Sequence, residues 1–132
     1  MHPLFLKASG LTHDVIGSAI EVHKDKGPGL LESIYEWCLT MELGLRGYAT
    51  KSQDNVTVDD KRFRREYPLR CDLLVEGCLI VEVKASESVL PIHKAQCLSY
   101  MKLLDIPLGL VINFNEQKLT EGFTADIARC QS

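Results

Sequence analysis

From about Thr12 to Lys24, apolar residues recur at helical spacing. Val15, Ile16, Ala19, Ile20 and His23 share one side, Thr12 can cap the start, and Gly27-Pro28-Gly29 ends the run. A second helix is expected over about Leu30 to Leu45, with Leu31, Ile34, Tyr35, Cys38 and Leu45 on one stripe and Gly44 and Gly47 at its exit. The pattern then changes. Tyr48 to Val58 alternates roughly between polar and apolar, with Val56-Thr57-Val58 as its best strand, and Asp59-Asp60-Lys61 reads as a turn. Two β-rich runs follow, Leu69–Val75 and Cys78–Lys84, split by the hairpin signal Glu76-Gly77. Leu90 to Leu104 predicts a third helix with Pro91 in its first turn, and Leu108–Asn113 a buried strand. Glu116 to Ser132 suits a short strand or helix with a frayed tail. The predicted order ααβββαβ implies an α/β or α+β sandwich on a central mixed sheet.

No repeat, linker or low-complexity tract interrupts the 132 residues, so 1–132 reads as a single domain with a core over about 11–114 and a C-terminal tail over about 116–132. A hydrophobic share of 45% excludes a disordered chain. No apolar run reaches the ~20 residues of a membrane span, and Met-His-Pro-Leu-Phe-Leu-Lys lacks a signal-peptide layout. The five cysteines, Cys38, Cys71, Cys78, Cys97 and Cys130, are scattered and form no CxxC pair. Free thiols in a reducing cytoplasm are therefore expected rather than a disulfide frame or zinc site, and the expected location is cytoplasmic. The net charge of −3 excludes a protein that coats nucleic acid by charge alone.

The informative residues are charges inside hydrophobic strands: Asp72 in the first β-rich run, Glu82 and Lys84 in the second. A buried charge costs several kcal/mol unless it has a partner, a cation or solvent. Alternation puts Glu82 and Lys84 on one face of their strand. Whether Asp72 joins them depends on register: a three-residue connection, Glu76-Gly77-Cys78, sets it opposite Glu82, whereas a two-residue turn sets it opposite Val81. In the first case two carboxylates and an ammonium converge, a set suited to a hard cation such as Mg²⁺ and to a phosphate. The plain alternative is a solvated strand face with a salt bridge to Lys84. Glu32, early in the second helix, either projects towards the sheet as a third acid or serves the helix dipole. His93, Gln96 and Tyr100 form a polar stripe on the third helix, at the i, i+3 and i+7 positions.

Asp72 followed by Glu82-Val83-Lys84 resembles the PD-(D/E)XK nuclease superfamily, which carries Asp and Glu-x-Lys on adjacent strands. Gln96-Cys97-Leu98-Ser99-Tyr100 resembles the QxxxY motif of its RecB-like and λ-exonuclease-like branches. Gly29-Leu30-Leu31-Glu32-Ser33-Ile34-Tyr35 is similar to the signature of the small GxxExxY proteins. Ala19-Ile20-Glu21-Val22-His23, Gly27-Pro28-Gly29, Asp72–Val75, Leu90-Pro91-Ile92-His93 and Ile112-Asn113-Phe114 follow the run usual in that family. The likeness covers about Leu11 to Phe114. Thr50–Glu66 is more polar than the family's first strands usually are, and Pro68 removes a backbone donor just before the Asp72 strand.

The resemblance implies an α/β, restriction-endonuclease-like core: a central mixed β-sheet flanked by helices. It also implies metal-dependent phosphodiester hydrolysis, most naturally of DNA, in repair, processing or defence. Glu32, Asp72 and Glu82 would be metal ligands together with the Val83 carbonyl. Lys84 would position or activate water, and Gln96 and Tyr100 would support the lysine or the scissile phosphate. The implied cofactor is Mg²⁺, with Mn²⁺ as a substitute. Lys61, Arg62, Arg64, Arg65 and Arg70, just before Asp72, could grip phosphates; otherwise they form a solvated turn with an ion pair to Glu66. The competing reading is a non-catalytic nucleic-acid-binding or assembly module on the same fold. Such a module would act with a larger DNA-processing or defence partner; separately, a chain this small could form a homodimer to span a duplex. One Mg²⁺ held by three of the eighteen acids would bring −3 to about −1. The acidic balance is thus compatible with an enzyme that meets one phosphate at a time.

Overall fold

The computed structural model describes residues 2–53, 55–67, 71–115 and 123–127, with backbone alone for Gln53, Val56, Cys71, Asp72 and 123–127. The first helix, α1 (Phe5–Lys26), starts well before the predicted Thr12. Thr12 is not its cap; the hydroxyl donates to the Ser9 carbonyl at 2.7 Å inside the helix. His2 serves the helix start instead. Its Nδ1 accepts from the Leu4 amide at 3.0 Å, and its carbonyl accepts from the Phe5 amide at 3.1 Å. Ala8, Leu11, Val15, Ala19 and Val22 are the buried stripe.

The second helix, α2 (Glu32–Leu45), buries Tyr35, Glu36, Leu39 and Leu43. This corrects the expected stripe, since Leu31, Ile34 and Leu45 face outward at 70%, 39% and 85% exposure. The Leu39 and Leu43 positions continue Tyr35 at i+4 and i+8, and Tyr35 decides the rotation because its ring is wholly buried. Tyr48, beyond α2, donates its hydroxyl to Asp14 Oδ2 of α1, and that bond raises the phenol's pKa.

Two more strands form than the pattern predicted before the first β-rich run. The polar stretch resolves into β1 (Thr50–Gln53), β2 (Val56–Asp60) and β3 (Phe63–Tyr67). The turn lies at Lys61-Arg62 rather than Asp59-Asp60-Lys61, and Lys61 takes the positive φ of 56°. Among the described residues, strands β2 and β3 pair only with each other, as an antiparallel hairpin apart from the main sheet.

The main sheet continues with β4 (Cys71–Val75), β5 (Leu79–Lys84), β6 (Leu108–Asn113) and β7 (Phe123–Ile127), in the order β1-β4-β5-β6-β7. Only the β5–β6 neighbours run parallel, so the sheet is mixed, as expected. The parallel pair is joined by α3 (Pro91–Leu104), as a crossover requires. In the tail, β7 satisfies the strand alternative; 116–122 and 128–132 lie outside the described residues.

Each face of β5 packs on a different layer. Leu79, Val81 and Val83 join Ala8, Val15, Tyr35, Leu39 and Phe114 in the core under α1 and α2. Ile80 joins Cys97, Met101, Ile106 and Val111 under α3. Gly109 permits that second contact: a Cβ there would come within 2.6 Å of Cys97 Sγ and 2.8 Å of Met101 Sδ. Among the described residues, Cys38, Cys78 and Cys97 are free thiols, and no helix is long and apolar enough to cross a membrane.

Candidate active site

The β4–β5 register decides which acids can meet. Leu73 stands opposite Val81, Leu74 opposite Ile80 and Val75 opposite Leu79. This is the register of the three-residue connection Glu76-Gly77-Cys78. Its next step along β4 sets the Asp72 position opposite Glu82. Both Glu76 and Gly77 have positive φ, 51° and 67°. The left-handed conformation of Glu76, unfavourable by about 1–2 kcal/mol for a non-glycine residue, is held by two bonds to Ala49. The Glu76 amide donates to the Ala49 carbonyl at 2.9 Å, and Glu76 Oε2 accepts from the Ala49 amide at 2.8 Å. The Asp72 side chain itself lies outside the described residues.

Alternation along β5 sends Glu82 and Lys84 to the side of Ile80, towards α3, and away from Val81 and Val83. Glu82 is only 6% exposed, and Lys84, at the strand's end, is half-buried. Ligand sites of open α/β sheets lie where parallel strands end at their carboxyl termini. Lys84 and Asn113 end β5 and β6 side by side as register partners.

Glu32 reaches the same edge from the other layer. Its Oε1 accepts a hydrogen bond from the Ala85 amide at 3.3 Å, one residue beyond Lys84. The local cause is the loop ahead of α2. The Tyr35 hydroxyl donates to the Gly27 carbonyl at 2.5 Å and accepts from the Leu30 amide at 3.0 Å. The ring stacks on Phe114 at 4.6 Å and 11°. Gly27 and Gly29 supply φ of 70° and 99°, which a side chain would oppose. Gly29, Glu32 and Tyr35 thus work together: a turn, an acid, and the ring that holds the turn.

Asn113, marked in the sequence only as part of the run Ile112-Asn113-Phe114, is 1% exposed. Its amide nitrogen donates to the Ser86 carbonyl at 2.8 Å, and its Oδ1 accepts from the amides of Ser86 and Asn115 at 3.3 and 3.1 Å. The Phe114 amide also donates to the Lys84 carbonyl at 2.9 Å. The segment leaving β5 is therefore anchored to the end of β6. A polar residue closing the otherwise apolar run Leu108–Ile112 was the available signal.

On α3, Gln96 is exposed and Tyr100 half-buried against the Ile80 cluster. His93 has a definite place: its Nδ1 accepts from the Leu90 amide at 3.2 Å while its own amide donates to the Leu90 carbonyl at 2.9 Å. It caps α3 reciprocally. Among the described residues no three His, Cys, Asp or Glu groups stand together as a metal cluster, a set that does not include the Asp72 side chain.

The basic residues Lys61, Arg62, Arg64 and Arg65 lie exposed on the β2–β3 hairpin, where β2 borders α3; Arg70 falls outside the described residues. An ion pair in this cluster joins Arg64 to Asp59 at 2.8 Å, whereas the solvated-turn reading expected Glu66 as the acid. The reason is register: Asp59 is the direct cross-strand partner of Arg64, whereas Glu66 faces Thr57. The Asp59 carboxylate holds the Arg64 pKa above its ordinary value.

A family model described as the PD-(D/E)XK nuclease superfamily matches residues 9–125, from within α1 into β7. Comparison with curated proteins and with solved structures finds no match.

Proposed function

The chain belongs to the PD-(D/E)XK nuclease superfamily, and from that premise we propose that it hydrolyses phosphodiester bonds of DNA with the help of a divalent cation. Its mixed sheet between helices is the restriction-endonuclease-like architecture. The observation that carries the proposal is the bond from the Ala85 amide to Glu32, which brings an acid of α2 to the end of the strand bearing Glu82 and Lys84.

The donor set fits a hard cation. Glu32, Asp72 and Glu82 offer carboxylate oxygens and Val83 a carbonyl, the ligands that Mg²⁺ or Mn²⁺ take. Glu82 is a nearly buried carboxylate, whose charge a cation offsets. The cation supplies Lewis-acid stabilisation of phosphate charge and acidifies water. Lys84 orients the attacking water from the same strand face and adds positive charge beside the phosphate. Gln96 and Tyr100 present an amide and a phenol from α3 to steady the lysine or the phosphate. Lys61, Arg62, Arg65 and Arg70 offer positive charge to the flanking nucleic acid, whereas Arg64 is taken up by Asp59, and repair, processing or defence of DNA is the setting this chemistry serves.

Calorimetric titration of Mg²⁺ or Mn²⁺ tests the metal set. The wild-type protein should bind, and Asp72→Asn and Glu82→Gln should lose most of the heat while remaining folded. Equal binding by all three would overturn the ligand assignment. DNA binding with neither metal binding nor cleavage would identify a non-catalytic module instead.

A further inference from the structure

The β2–β3 hairpin is unusual for what it leaves uncovered. Every residue of β3 is exposed, and Phe63, the first after the turn, is 77% exposed. Alternation puts Phe63, Arg65 and Tyr67 on one face of the strand, with Arg64 and Glu66 on the other. The Arg65 guanidinium lies 4.9 Å from the centre of the Tyr67 ring, so its outer plane is backed by an aromatic surface. Along this face stand, in order, a bare phenyl ring and a supported guanidinium, two residues or roughly 7 Å apart. Lys61 and Arg62 flank the row at the tip; of the two acids on the partner strand, Asp60 stands opposite Phe63 and Asp59 opposite Arg64.

We infer that this face is a stacking platform for single-stranded nucleic acid, with one unpaired base on Phe63 and the next on Arg65. Aromatic rings and guanidinium planes both stack on bases whatever the sequence. Lys61 and Arg62 meet the adjoining phosphates, while Arg64, turned the other way, is neutralised by Asp59. A duplex offers no free base faces to such a row. Readout of its major groove would call for amides and carboxylates aimed at base edges instead. Because β2 borders α3, a strand held here runs beside the helix that carries Gln96 and Tyr100. This names the substrate form for the nuclease reading and rests on it for the cleavage step alone.

The test is fluorescence anisotropy of a labelled oligothymidine and of a duplex of equal length, in EDTA so that binding is read without metal or cleavage. The wild-type protein should prefer the single strand. Phe63→Ala should weaken single-strand binding about five- to a hundredfold with little effect on the duplex, and Phe63→Trp should retain it. Unchanged binding by Phe63→Ala would overturn the inference. So would equal loss on both substrates, or a shift from dimer to monomer in size-exclusion chromatography caused by Phe63→Ala. Single-strand binding that persists in a protein with no Mg²⁺-dependent cleavage would instead remove the nuclease reading and leave the platform standing.

Discussion

The hydroxyl of Tyr35 donates to the Gly27 carbonyl at 2.5 Å, five residues ahead of the acid that meets the Ala85 amide. One phenol thus sets both the turn before α2 and the place of Glu32. Tyr35→Phe keeps the stack on Phe114 but leaves the Gly27 carbonyl and the Leu30 amide without their partner. A loss of about 1–3 kcal/mol is expected in urea unfolding. At 25 °C, where the variant is still folded, metal affinity should fall as well, because Glu32 is no longer held at the strand end.

His93 accepts the Leu90 amide, so its first duty is to the start of α3. His93→Ala should cost about 0.5–2 kcal/mol of stability, in the range of other lost helix caps. It should leave most of the cleavage rate under conditions where the protein is folded. A rate loss beyond about a hundredfold without a stability change would give His93 a chemical role instead.

Gly109 lets α3 lie against β6. Gly109→Ala would gain a little from a stiffer unfolded chain, about 0.4–1 kcal/mol, but the added methyl meets two buried sulfurs at 2.6 and 2.8 Å. Cys97 is too short to swing away, so overpacking wins, with a net loss of about 1–3 kcal/mol expected by thermal melting. Since α3 carries Gln96 and Tyr100, activity should drop with it.

Cys78 is fully buried, and burial pushes its thiol pKa above the ordinary 9.0. A pKa raised by folding means that the native state resists losing the proton. Its contribution to stability is therefore complete below pH 9 and declines as the pH rises beyond it. As the pH rises above 9, the urea midpoint should fall more steeply in wild type than in Cys78→Ala. At pH 8, Cys78 should react with a thiol reagent only after unfolding, well behind the half-buried Cys38.

The central hairpin was legible in the sequence because chemistry and geometry agreed there. Glu82 and Lys84 are two apart in an apolar run, and the Glu76-Gly77-Cys78 connection sets the register that, continued one step past Leu73 and Val81, puts the Asp72 position opposite Glu82. Glu32 was legible through its spacing from Gly29 and Tyr35. Strand β3 was not, because a strand exposed on both faces shows no alternation, and Phe63-Arg64-Arg65-Glu66-Tyr67 reads as a polar loop. The first turns of α1 were hidden for a related reason. Their N-cap is Leu4, held by its amide to the His2 ring with no side chain capping the helix itself, so none of the usual Ser, Thr, Asp or Asn signals marks the start. The run Ile112-Asn113-Phe114 carries no sign of what Asn113 does, because a lone asparagine at the end of an apolar strand looks like a boundary until its three bonds are seen.

The most direct measurement is cleavage of linear and circular DNA by the purified protein with Mg²⁺ or Mn²⁺, set beside Lys84→Ala and Glu82→Ala. Metal-dependent cleavage is expected of wild type, with a loss of about a hundredfold or more in both variants and unfolding curves showing that each still folds. Full activity in both variants would contradict that expectation.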